Sequence, residues 1–238
     1  MTARTRRNGT LKLGTALATT LASFVMGGAA QAQNASDTLP VLSGTQGASF
    51  AGTTITSPPA PTPTQLDINI NDQSRVINWQ TYNVASGNTV NYTTTTPGTP
   101  YAVLNRVTGT DVGANFFRSM IDGTINSQSN IAIWLTNPAG ITYGPTGAFN
   151  GGSLVMTTLN IGDTDFLNAA PGNTGFTLSG ASANNVVLTA GTGSLTSNGS
   201  VILAAQEIST GKNITGSTGV TLVAAQDVTF NSGGFFSF

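Results

Sequence analysis

The side chains that perform most enzymatic chemistry are scarce in this chain. None of its 238 residues is cysteine or histidine, which excludes disulfides, thiol nucleophiles, Cys/His zinc sites and histidine acid–base catalysis. Charged residues make up only 7%, against about a quarter in ordinary globular chains. Glu207 is the single glutamate. Asp111, Asp122, Asp163 and Asp165 invite a calcium reading, but the glycine–aspartate nonapeptide of calcium-binding β-rolls is missing. Turn capping accounts for these aspartates more simply, and no metal or other cofactor is expected. Elimination on an acidic polysaccharide would need an Arg or Lys base beside several calcium-binding carboxylates in one groove. Here Arg75, Arg106, Arg118 and Lys212 stand far apart in the sequence.

Less reactive groupings stand out instead. In Asn137-Pro138-Ala139-Gly140, proline sets φ near about −65°, the Asn carboxamide can bond the backbone two residues on, and Gly140 can take a positive φ. This tight turn is either a corner joining two strands or a loop presented to a partner. Leu104-Asn105-Arg106-Val107 joins two residues suited to burial with a cation able to pair with an aspartate of an amino-terminal cap. Trp79 and Trp134 are expected to pack in the core or close an amino-terminal mouth, because a glycan-stacking Trp sits among exposed polar partners.

The elements that must position these residues are strands. From Leu66 onward, short apolar runs (LDINI, RVINW, AVLNRV, NIAIWL, NVVLTA) alternate with Gly, Asn, Asp and Thr, and β-branched or aromatic residues between turn formers read as short strands. Ala114 to Ile121 is the one stretch expected to be a short helix. GSVILAAQEIS (199 to 209) and GVTLVAAQDVT (219 to 229) align at an offset of twenty, Gly199 on Gly219 and Ala204-Ala205-Gln206 on Ala224-Ala225-Gln226. GSLVMTTLNI (152 to 161) begins and ends alike. Strand-like repeats of that period imply a right-handed parallel β-helix, one coil per repeat, with an N-terminal cap. A β-sandwich or barrel meander is the competing fold. About ten coils would fit, a rod of roughly 45 to 50 Å.

Both ends differ from this pattern. Arg4, Arg6, Arg7 and Lys12 precede an apolar stretch from Leu13 to Ala30, and Ala30-Gln31-Ala32 has the small-x-small form of a cleavage site, so residues 1–32 read as a signal peptide for the Sec machinery. Residues 33–65 read as a flexible, proline-rich lead-in and the start of the cap, and 66–238 as the β-helix. After Ala32, four cations face nine acids, a net charge of −5. With no basic patch, nucleic acid is not an expected partner. The end, TFNSGGFFSF, brings together Phe230, Phe235, Phe236 and Phe238. These either cap the last coil or mark the front of a truncated larger protein.

The succession RVINWQTYNVASGNTVNY (75 to 92), AVLNRVTG (102 to 109), NPAGITYGPTGAF (137 to 149), GGSLVMTTLNI (151 to 161) and DTDF (163 to 166) resembles the amino-terminal secretion domain of filamentous haemagglutinin-like proteins, the secreted partners of two-partner secretion systems. The family turn commonly reads Asn-Pro-Asn-Gly; here Ala139 replaces the second amide. The resemblance implies a capped β-helix exported unfolded across the inner membrane of a Gram-negative bacterium. An outer-membrane barrel with periplasmic POTRA domains would recognise it and thread it to the cell surface. Asn137, Pro138, Ala139, Gly140, Leu104, Asn105, Arg106 and Val107 become the candidate transporter-recognition residues.

Three classes of function follow. The leading expectation is a secretion domain that engages its transporter and then nucleates folding outside the cell, with no enzymatic activity. The alternative is an adhesin-like module contacting host glycans, a receptor or neighbouring cells. A polysaccharide-active β-helix enzyme is the remote third.

Overall fold

In the computed structural model the described residues are 38–56, 64–110, 117–169, 175–180 and 183–230, all within one compact unit, Gln31–Phe238. The signal-peptide assignment, with Ala30 and Ala32, lies outside the described residues, as do Asp111, the proline run at 57–63 and the last eight residues.

The apolar runs form strands because their residues alternate in and out with the period of two that a pleated chain imposes. Two short strands, β1 (Val41–Leu42) and β2 (Thr53–Thr56), flank a single 3₁₀ turn at Ala48–Phe50. The first coil holds β3 (Gln65–Ile70) and β4 (Ser74–Thr81), the second β5 (Thr89–Thr93), β6 (Tyr101–Val107) and β7 (Ser119–Ile121). The third holds β8 (Thr124–Ser127), β9 (Ile131–Thr136) and β10 (Ile141–Tyr143), and the fourth opens with β11 (Ala148–Gly151) and β12 (Leu154–Thr157). The chain then leaves the coil for a helix, α1 (Asp163–Ala169), and β13 (Phe176–Ser179), and returns at β14 (Asn185–Leu188). The fifth coil is β15 (Leu195–Ser197), β16 (Ser200–Ala205) and β17 (Glu207–Thr210); the sixth is β18 (Ile214–Gly216) and β19 (Gly219–Ala224). Last comes β20 (Asp227–Phe230).

Coils stack into three sheets. The first runs β1-β4-β6-β9-β12-β16-β19, the second β18-β15-β11-β8-β5-β3-β2, and the third β17-β14-β10-β7. Every pairing between coils is parallel. At the amino-terminal end β1 lies antiparallel on β4 and β2 antiparallel on β3, so much of the expected lead-in is ordered cap.

Three expectations are corrected. Among the described residues there are six coils rather than ten, because coil length varies. In the first sheet the chain advances 28 residues from Ser74 to Ala102, 30 from Tyr101 to Ile131, 21 from Ile133 to Leu154, and 47 from Leu154 to Val201 through the excursion. The last repeat is offset by 19, not 20: Ser200 pairs with Gly219 and Leu203 with Leu222. That register stacks Val220 and Leu222 on the inward-facing Val201 and Leu203, whereas an offset of 20 would point Thr221 and Val223 inward. The expected helix is not found over its described part, since Ser119–Ile121 is a strand. Among the described residues the α-helix is α1, which begins with Asp163 and Asp165 in its first turn and buries Phe166 and Ala169 one turn apart.

Among the described residues there are two apolar cores. One fills the coil interior, with Ile68, Ile77, Trp79, Val103, Ile133, Phe149 and Leu203 among its members. The other covers the outer face of the first sheet. Leu104, Trp134, Val155 and Ile202 meet Leu159, Ile161, Phe166, Phe176 and Leu178 from the excursion, and Val228 packs against them. Strands of this sheet are therefore apolar on both faces, as a covered parallel sheet requires.

Candidate recognition site

The turn at Asn137–Gly140 is built from the Asn side chain outward. Its Oδ1 accepts from the Ala139 amide at 2.9 Å, and its Nδ2 donates to the Phe117 carbonyl and to Ser119 Oγ, each at 2.8 Å. The Gly140 amide closes the turn on the Asn137 carbonyl at 2.9 Å, and the Asn137 amide donates to the Thr157 carbonyl at 3.0 Å. Asn137, Ala139 and Gly140 are buried, and Pro138 is half-buried. Gly140 sits at φ 102, where only glycine is unstrained, and a Cβ there would stand 2.4 Å from Arg118 Nη1.

Arg118 lies across this corner, a role the sequence did not suggest. Its Nε donates to Thr142 Oγ1 and its Nη2 to Asn185 Oδ1, each at 2.7 Å, with longer contacts of 3.4 to 3.5 Å to the Ala139, Ile141 and Asn185 carbonyls. It thus ties the second coil to the third and fourth. Burial pulls its pKa below the ordinary guanidinium value. Lys212, also unforeseen and buried, does similar work at another corner, donating to the Pro145 carbonyl at 3.0 Å and the Gly193 carbonyl at 3.3 Å. An Arg or Lys ahead of a strand is the only sequence signal for either.

Leu104, Asn105, Arg106 and Val107 occupy β6 with alternating directions. Leu104 faces the outer core and Val107 the interior. Asn105, fully buried, is a polar hub: its Oδ1 accepts from Trp79 Nε1 at 2.9 Å and from the Tyr92 hydroxyl at 2.7 Å, and its Nδ2 donates to the Trp134 carbonyl at 3.1 Å. Tyr92 and Tyr82 hydroxyls lie 2.8 Å apart. Burial pushes the Tyr82, Tyr92 and Tyr143 phenols well above their ordinary value. Arg106 faces outward and grips the excursion. Its Nη1 lies 2.6 Å from Asp163 Oδ1 on α1, and its Nη2 donates to the Ile161 carbonyl at 2.8 Å. Its acidic partner thus belongs to α1 rather than to the cap.

Both tryptophans are buried. Trp79 meets Tyr82 edge-on inside the coil at 5.6 Å, and Trp134 meets Phe166 and Phe176 of the excursion at 5.4 and 4.7 Å. The two repeat glycines do different things. A Cβ on Gly199 would stand 2.2 Å from Ser153 Oγ of the previous coil, while Gly219 has open space and φ 144. Among the described residues no three acidic side chains gather as a metal group. A row of bonded polar side chains runs along the second sheet, where Asn126 donates to Asn91 at 3.0 Å and Asn91 to Asp67 at 2.8 Å.

The structure therefore brings the two motifs into one frame, each spending its side chains inside the fold. Comparison with known proteins bears on the fold and the family. A search of curated proteins found no match. The HMW1 secretion domain from Haemophilus influenzae, a crystal structure, aligns with a TM-score of 0.59 and 23% identity over 76% of this chain and 45% of that one. This chain thus spans less than half the length of the solved chain it matches. Residues 51–234 match the family described as TPS secretion domain, and the chain belongs to that family of two-partner secretion domains.

Proposed function

We propose that this secretion domain is recognised by the POTRA domains of an outer-membrane barrel transporter while its motifs are still unfolded, and that it folds coil by coil once outside. Burial of the motifs carries the reading. Asn105 and Asn137 are fully enclosed with both ends of each carboxamide bonded internally, so the folded domain offers a partner neither side chain. An extended chain offers both. Each coil finds its parallel partners only in the coils beside it, so apolar burial and ladder bonds accrue in chain order as the chain emerges. The basic, then apolar, start of the sequence supports Sec-dependent export, transit of the periplasm and display at the cell surface of a Gram-negative bacterium.

Purified POTRA repeats should bind the domain saturably just after its dilution from high urea, before it refolds, and lose it on refolding. Tighter binding to the folded domain, or normal secretion after deletion of residues 66–166, would overturn the reading. The family is one of secretion domains, not of enzymes. An adhesin-like role for the same chain draws on the Asn and Thr columns of the second sheet, and glycan-array binding by the folded domain would favour it.

A further inference from the structure

The last strand does not go where its sequence twin goes. After β16 the chain turns at Gln206 and β17 pairs in parallel with β14, Glu207 on Asn185 and Ile208 on Val186. After β19 it turns at Ala225 and Gln226, and β20 pairs antiparallel with β13, Val228 opposite Leu178 and Asp227 opposite Ser179. β17 is left as the terminal strand of its sheet, with no partner on its outer side among the described residues. Yet residues 227 to 229 (Asp-Val-Thr) repeat the pattern of 207 to 209 (Glu-Ile-Ser).

Val228 suits both places. On the flank it packs against the outer core. In parallel register on β17 it would stand over Ile208, which is partly buried against the interior core and continues the inward column of Ile141 and Val186. The extra residue in the second corner converts the 19-residue offset of β16 and β19 to the 20 that this register needs. One feature opposes the second place: it stacks Asp227 directly on Glu207, and like charges on adjacent strands repel.

We propose that Asp227–Phe230 is a strand with two docking places, sealing the flank on β13 or adding a fifth strand to the third sheet on β17. The Glu207–Asp227 repulsion tilts the balance towards the flank, where Val228 packs on the outer core. The strand thereby sets whether it covers the outer core or Ile208 on the edge of β17.

Because the chain has no cysteine, paired substitutions in the full chain report each place. Thr177→Cys with Thr229→Cys reports the flank, where the two hydroxyls lie 3.1 Å apart. Ser209→Cys with Thr229→Cys reports the coil, and Thr196→Cys with Thr229→Cys, on a different sheet, reports chance encounter. Under slow oxidation of dilute protein the flank disulfide should dominate. The coil disulfide should form within single molecules faster than the control, and Asp227→Asn should raise its yield about twofold to fivefold. A coil pair that stays reduced in both backgrounds, links no faster than the control, or links only between molecules overturns the proposal. A coil link unchanged by Asp227→Asn keeps the two places and overturns the role of charge.

Discussion

Replacing Asn105 by alanine should reveal how much the interior hub contributes. The substitution removes three hydrogen bonds, to Trp79 Nε1, the Tyr92 hydroxyl and the Trp134 carbonyl. Tyr92 keeps Tyr82 as a neighbour, so the Trp79 N–H is the group left most completely stranded. A stranded buried polar group costs about 1–3 kcal/mol. With the small void left by the carboxamide, the total comes to about 3–5 kcal/mol, a large share of the roughly 5–15 kcal/mol that domains have. Equilibrium urea unfolding, followed by fluorescence of the two buried tryptophans and by far-UV circular dichroism, would measure it. Asn91→Ala is the control: it also breaks two carboxamide bonds, but on the outer face, where water can replace them, and should lose less than about 1 kcal/mol. Equal losses for the two variants, or less than about 1 kcal/mol for Asn105→Ala, would refute the idea that a satisfied interior amide organises the first coils.

Alkaline pH should unfold the domain. Tyr82, Tyr92 and Tyr143 titrate higher in the folded state than when unfolded, so their contribution is complete below the unfolded value of about 10. Above it, urea stability should fall by up to about 1.4 kcal/mol per pH unit for each phenol, and Tyr143→Phe should flatten the slope by about a third. Gly140→Ala should cost about 3 kcal/mol or more and Gly219→Ala only about 1–2 kcal/mol. Both have positive φ, but only the first drives a methyl into Arg118; thermal melts would rank them. Arg106→Ala removes a partly exposed ion pair worth less than about 1 kcal/mol and the bond to the Ile161 carbonyl, both of which tie down only the excursion. It should therefore leave global unfolding nearly unchanged while hydrogen exchange quickens across residues 158–169.

The sequence alone determined which chemistries are excluded and what most of the chain is made of. Lacking Cys and His, it has no thiol nucleophile, no Cys/His zinc site and no histidine acid–base group. Its β-branched runs between turn formers made strands, and the recurring blocks from Gly152, Gly199 and Gly219 made coils, because strand alternation and turn chemistry are local properties. Tertiary structure decided the rest. Register along the last coil followed which residues would face inward, and Leu222 over Leu203 won over the longer match of Ala-Ala-Gln. α1 arose where two acidic residues and a Phe–Ala pair could cover Trp134, a face that exists only once the first sheet has formed. Asn105 and Arg106 are neighbours in sequence yet serve different cores, since a pleated strand turns successive side chains to opposite sides. The sequence shows such a strand's two faces; only the packed molecule supplies what each face meets.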